Sequence, residues 1–139
     1  MTTGYTIPIE KGMVCAKSLI HISTVSTQKV ARKINGVEFA KAKKFIEDLN
    51  NEKVSIDGKY FTRSTNEVFK LIKTLEANAN AQSIDTESMK LFVSVSKGPS
   101  MYRGKRRNNF GHRLKMTHVQ VVLKPFEKKK KEDKKDKVK

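Results

Sequence analysis

Residues 97–118, KGPSMYRGKRRNNFGHRLKMTH, hold seven Lys or Arg and no Asp or Glu, and an alternating apolar run lies on each side. In KLFVSVS, Leu91, Val93 and Val95 alternate with Phe92, Ser94 and Ser96; in VQVVL, Val119, Val121 and Leu123 keep the same period. A period of two puts each set on one face of a strand, so the runs are expected to pair antiparallel with the cationic stretch as their connection. Hairpin loops usually need about two to five residues, and this connection is far longer. Half of it, at about 3.3 Å per residue, makes an arm of up to roughly 35 Å. Gly98-Pro99 marks the place where ordinary pairing is disturbed, because proline has no N–H to give to a ladder.

The rest of the chain supplies layers for that ladder. In VCAKSLIHI, Val14, Ala16, Ser18, Ile20 and Ile22 share one side and Lys17 and His21 the other, which reads as a half-buried strand. STVSTQKVARKING offers Ser23, Ser26 or Thr27 as helix caps, Val30 and Ile34 four apart, and Gly36 as a stop. Its wet side carries Lys29, Arg32 and Lys33. A second helix is expected over 37–49 on the spacing of Phe39, Ala42, Phe45, Ile46 and Leu49. Asp57-Gly58 signals a turn in a loop that can include a small hairpin. A third helix, capped by Ser64 or Thr65 with Glu67 completing a capping box, should run to about Gln82 and bury Val68, Leu71, Ile72, Leu75 and Ala79. Its small-residue ending, ANANA, suits close packing inside the domain better than contact with a ligand. The expected fold is α+β: a three-stranded antiparallel sheet with three helices packed on it and a long extended basic β-hairpin arm. Residues 1–13 form an N-terminal extension, 14–123 one globular domain including the arm at 97–118, and 124–139 a Lys-rich tail without the apolar content to order itself.

Charge narrows the function. The chain carries +16, of which the arm holds +7 and the tail +5, leaving +4 for the other 101 residues. Charge so concentrated opposes its own compaction unless a polyanion neutralises it, which makes nucleic acid the leading partner and an acidic membrane the second. Arg103, Lys105, Arg106, Arg107, Arg113 and Lys115 supply charge, while Tyr102 and Phe110 offer flat surfaces for stacking on bases. Arginine pairs bidentately with phosphate and also stacks, so this cluster favours RNA or DNA over a diffuse membrane contact. Gly104 and Gly111 permit tight backbone approach. A DNA-bending protein with a basic β arm is the alternative, but such arms carry an apolar or proline wedge at the tip, and Pro99 lies at the base.

Enzymatic signals are poor. His112 and His118 lie among cations without a neighbouring carboxylate, so an acid-base pair is not expected from them. GPSMYRGKR fails as a phosphate-cradling loop, since five residues separate Gly98 from Gly104 and Arg106 stands where a metal-binding Ser or Thr is needed. One Cys and three scattered His make no zinc site, and no cofactor or metal is expected. The single Cys15 cannot form an intrachain disulfide, and no apolar stretch approaches the roughly 18 residues of a membrane span. A soluble, unprocessed cytoplasmic protein is the expectation.

Taken together, GPSMYR, FGHR and THVQVVL resemble the L-twenty-two family of large-subunit ribosomal proteins, called L-seventeen in eukaryotic naming. The matching positions are Gly98, Pro99, Arg103, Gly111, Thr117 and His118. AKSLIHIS, INGVEFAKAKKFIEDL, NANAQ and IDTE are similar to the family's first strand, its helix, Gly, helix segment, the end of its third helix and the turn beyond. The resemblance spans roughly residues 14–123. It implies a non-enzymatic constituent of the large ribosomal subunit that binds large-subunit ribosomal RNA near the peptide exit and supports assembly. On that reading Lys17, His21, Lys29, Arg32, Lys33 and Lys97 contact RNA from the body, and Tyr102, Arg103, Lys105, Arg113, Lys115 and His118 do so from the arm and its return. The tip, Arg106, Arg107, Asn108, Asn109 and Phe110, would line the exit tunnel and meet the nascent polypeptide. Neighbouring ribosomal proteins are further implied partners; no membrane is, and the chain would be a monomer within the particle.

Overall fold

The computed structural model describes residues 5–104, 108 and 110–126. Along the chain these form β1 (Val14–Ile20), α1 (Thr24–Ile34), β2 (Val37–Glu38), α2 (Phe39–Asn50), α3 (Thr62–Ala81), β3 (Met89–Lys97), β4 (Met101–Tyr102), β5 (Arg113–Leu114) and β6 (Thr117–Pro125). The two alternating runs pair antiparallel as expected, from Met89 opposite Pro125 to Lys97 opposite Thr117. β1 pairs antiparallel with the other side of β6, Val14 opposite Leu123 and Ile20 opposite Thr117.

The sheet has four strands in the order β1-β6-β3-β2, one more than the sequence indicates. The extra strand comes from the first residues assigned to the second helix. Gly36 adopts φ +77°, a conformation that costs a residue with a Cβ. There its N–H donates to Leu91 O at 2.7 Å, which lays Val37 and Glu38 along the edge of β3 before α2 begins. Two residues are too few to show a strand period.

One face of the sheet holds the core. Val119, Val121 and Leu123 from β6, Leu91 and Val93 from β3, and Val14 and Ala16 from β1 are buried beneath Val30 and Ile34 of α1, Ile46 and Leu49 of α2, and Val68, Ile72, Leu75 and Ala79 of α3. α3 packs on β1, α1 on β3, and α2 on α3, where Lys43 Nζ reaches both carboxylate oxygens of Glu76 at 2.9 Å. The small-residue end of α3 is used for packing: Ala79 is fully buried and Asn78 Nδ2 donates to Cys15 O of β1 at 3.2 Å.

Besides the later start of α2, one helix start departs from the sequence reading. α1 does begin after Ser23, whose backbone is extended, although its side chain makes no capping bond. α3 begins at Thr62, ahead of the proposed caps, because Phe61 takes a left-handed conformation at φ 48° and turns its ring toward the core. Ser64 and Thr65 therefore lie buried in the first turn. Thr65 Oγ1 donates back to Tyr60 O and Phe61 O, and Glu67 pairs with Lys70 instead of closing a capping box. The Asp57-Gly58 turn forms, with Ile56 bridged to Lys59.

The second face of the sheet is covered in part. Gln120 and Val122 point away from the helices yet are fully buried. The N-terminal segment crosses over them: Ile7 N–H donates to Gln120 Oε1 at 3.0 Å, and Gln120 Nε2 donates to Ile7 O at 2.8 Å. Thr6 bonds to Ser94, and the Tyr5 ring stands edge-on to His118 with centroids 5.1 Å apart. The amide of Gln120 thus mimics a backbone unit and ties the segment down as an added strand would. Replacing Gln120 by Ala should cost about 1–3 kcal/mol, since two hydrogen bonds go and buried groups lose their partners. Denaturant unfolding combined with amide exchange checks this; an Ile7 amide that stays protected in Gln120→Ala would contradict the clamp.

Candidate nucleic-acid interface

The ladder of β3 and β6 continues past its strand ends into the base of the arm. Gly98 N–H donates to Met116 O at 2.8 Å, then Met101 and Tyr102 pair with Leu114 and Arg113, and Arg103 N–H donates to His112 O at 2.9 Å. Gly98 fits only because it lacks a side chain: a Cβ there would lie 2.8 Å from the carbonyl carbon and oxygen of Met116. Among the described residues, a Cβ at Gly104 or Gly111 would meet nothing within 4 Å. The described residues show this paired base; Lys105, Arg106, Arg107 and Asn109 lie outside them, as does the tail from 127. Asn108 and Phe110 are exposed.

Between the base of the arm and the body is a cleft of about 650 Å³. The arm contributes Arg103, His112, Arg113 and Lys115, the end of β1 contributes His21, and the starts of α1 and α3 contribute Ser23, Ser26, Thr62 and Arg63. Among the described residues, no acidic one lines it. Neither helix has an acid in its first turn, so the unpaired N–H groups and positive dipole ends of both reinforce the cationic side chains. The Arg63 guanidinium donates to His21 Nδ1 at 3.3 Å, which leaves Nε2 to carry the imidazole proton. Arg113 Nη2 donates to Ser100 Oγ at 2.8 Å across the arm. Such a set of donors suits phosphate oxygens, which accept from Arg, backbone N–H and hydroxyl groups alike.

The structure gathers His21, Arg103, Arg113 and Lys115 into this cleft and distributes the other sequence candidates elsewhere. Lys29 is paired with Asp57 at 3.3 Å and stacks over Phe61. Arg32 and Lys33 lie in the last turn of α1, at the end away from the cleft. Lys17 sits over the Tyr5 ring and His118 beneath it, on the strapped face of the sheet. Lys97 borders a second groove on the far side of the arm base, and Tyr102 is well exposed. Sequence reasoning missed Arg63 and the two helix starts. The available signal was local: FTRSTNEV has a lone arginine at a helix start with no acid before Glu67.

The fold is an α+β body whose central ladder runs on into a paired hairpin base, with a cationic cleft beside it in which no described residue is acidic. Residues 15–124 match the family described as ribosomal protein L22p/L17e, and the chain belongs to that family. Among its relatives is the large ribosomal subunit protein uL22 of Methanocella arvoryzae, 25% identical over 146 aligned positions that span 86% of this chain and 95% of that protein. Membership makes the chain a structural, non-enzymatic ribosomal protein of the large subunit. Gly98→Ala tests the geometry of the arm's root. Overpacking against Met116 should cost about 1–3 kcal/mol and speed amide exchange at Met101–Arg103 while leaving α3 protected; unchanged exchange there would contradict the close approach.

Proposed function

We propose that the chain binds large-subunit ribosomal RNA near the polypeptide exit, seats the RNA backbone in the cleft, and sends its arm inward as part of the exit tunnel wall. The observation that carries this reading is the cleft itself, where four arginine or lysine side chains, two histidines and two helix starts face one space with no acid among the described residues. Its mechanism is architectural. Cations neutralise phosphates from RNA segments that would otherwise repel, releasing condensed counterions as they do so. Arg106, Arg107, Asn108, Asn109 and Phe110 at the tip line the passage of the nascent polypeptide, while Arg103, Arg113 and Lys115 at the root grip RNA. Because the same cations bring several RNA segments together, binding couples the chain to subunit assembly.

The protein should co-sediment with large subunits in salt that strips loosely bound proteins, and finding it only in the free fraction would sink the proposal. For the isolated protein on a large-subunit RNA fragment, Arg63→Ala with Arg103→Ala should flatten the plot of log affinity against log salt by about two units at most, one for each lost phosphate contact. An unchanged slope would take the cleft out of the RNA contact.

A further inference from the structure

The outer edge of β3 is only half used. β2 covers it at Lys90 and Leu91, and the Asn35 side chain extends that cover by accepting from Val93 N–H at 3.1 Å. Beyond Val93 the alternation of the ladder dictates where main-chain groups point. Gly98 N–H faces β6, so Ser96 and Ser94 face it too, and Val95 and Lys97 turn their N–H and C=O groups outward. Among the described residues, no main-chain or side-chain partner meets those of Val95 or Lys97. Below this edge a groove runs along α1 in two connected parts of about 200 and 390 Å³ that share Gln28. One wall includes Val25, which is 65% exposed, and its rim carries Arg32, Lys97 and Lys115 with no acid among the described residues.

We propose that this edge is a docking site for an extended acidic polypeptide segment, which adds as a further strand beside Val95 and Lys97 and lays alternate side chains into the groove along α1. Open donors and acceptors at strand spacing select a peptide main chain, because a ribose-phosphate chain has no matching ladder. The cationic rim selects acidic side chains. The same rim, on a chain of net charge +16, disfavours a second copy of the protein as the occupant. A segment of this kind would shield part of the cationic surface of the free protein, and the inference does not depend on the RNA contacts proposed above.

The test uses the full chain and a short capped peptide of alternating valine and glutamate. Its addition should slow amide exchange at Val95 and Lys97 by about tenfold or more, while the same peptide with N-methylated amides on its pairing edge should bind at least about tenfold more weakly. Lys97→Pro removes an outward N–H without touching the β6 ladder and should weaken binding to a similar degree. Should that variant unfold by thermal denaturation, Val25→Asp, on an exposed groove wall, supplies the same comparison. Equal binding of the N-methylated peptide, or binding without protection of the two amides, overturns the proposal. So does protection of the same amides by a short RNA, which would make the edge a nucleic-acid surface. A concentration-dependent dimer abolished by Lys97→Pro would make the occupant a second copy and overturn it as well.

Discussion

The antiparallel ladder between β3 and β6 is the constraint on which the rest of the molecule depends. Its register decides that Val119, Val121 and Leu123 enter the core, and a slip of one residue would exchange them for His118, Gln120 and Val122. The same ladder, carried on by Gly98 and Met116, leads into the paired base at Met101–Tyr102 and Arg113–Leu114. Because Arg113, Leu114 and Lys115 follow that ladder out of the sheet, they border both the cleft on the α3 side and the groove along α1. One pairing therefore sets the core, the paired base beyond it and the two surfaces beside that base.

Electrostatics divides the molecule along the same line. The ion pairs among the described residues, Lys29–Asp57, Lys41–Glu38, Lys43–Glu76, Lys53–Asp48 and Lys70–Glu67, all belong to the helices and their loops. Each is at least partly exposed, where such pairs add little to stability. Their effect on charge distribution matters more. Five acids of the body pair with cations of the body, and among the described residues none of the guanidinium groups around the cleft takes part in an ion pair.

Period two and period 3.6 were enough to find the principal strands and the three helices, because most of the buried residues, from Val14 to Leu123, sit on single faces with little interruption. Features that depend on one residue's conformation or on a distant partner were not legible. Gly36 looks like a simple helix stop, and only its bond to Leu91 turns the next two residues into a strand. Phe61 gives no sign of a left-handed helix start. Ser64 and Thr65 look like caps because hydroxyl residues before an apolar period usually are. In the site, the cations of the arm were visible as a run, whereas Arg63, 40 residues before Arg103 in sequence, joins them only through the packing of α3. Gln120 looks like a solvent-facing residue on a strand, and nothing local marks it as the anchor of Ile7.

That anchor has a consequence for how the chain is made. Ile7 and Gln120 are separated by 113 positions, and β1 also finds its sheet partner only in β6. A polypeptide emerging from its N-terminus therefore displays the apolar side of β1 and an untied leading segment until almost the whole sequence has been synthesised. Helices α1 to α3 can form from local contacts, but closure of the sheet waits for its last strand, a long-range step of the kind that slows folding and exposes unpaired edges meanwhile. The interior strand β6 is thus the last of the described strands to be made, and it joins β1 and the Ile7 segment to the ladder with β3.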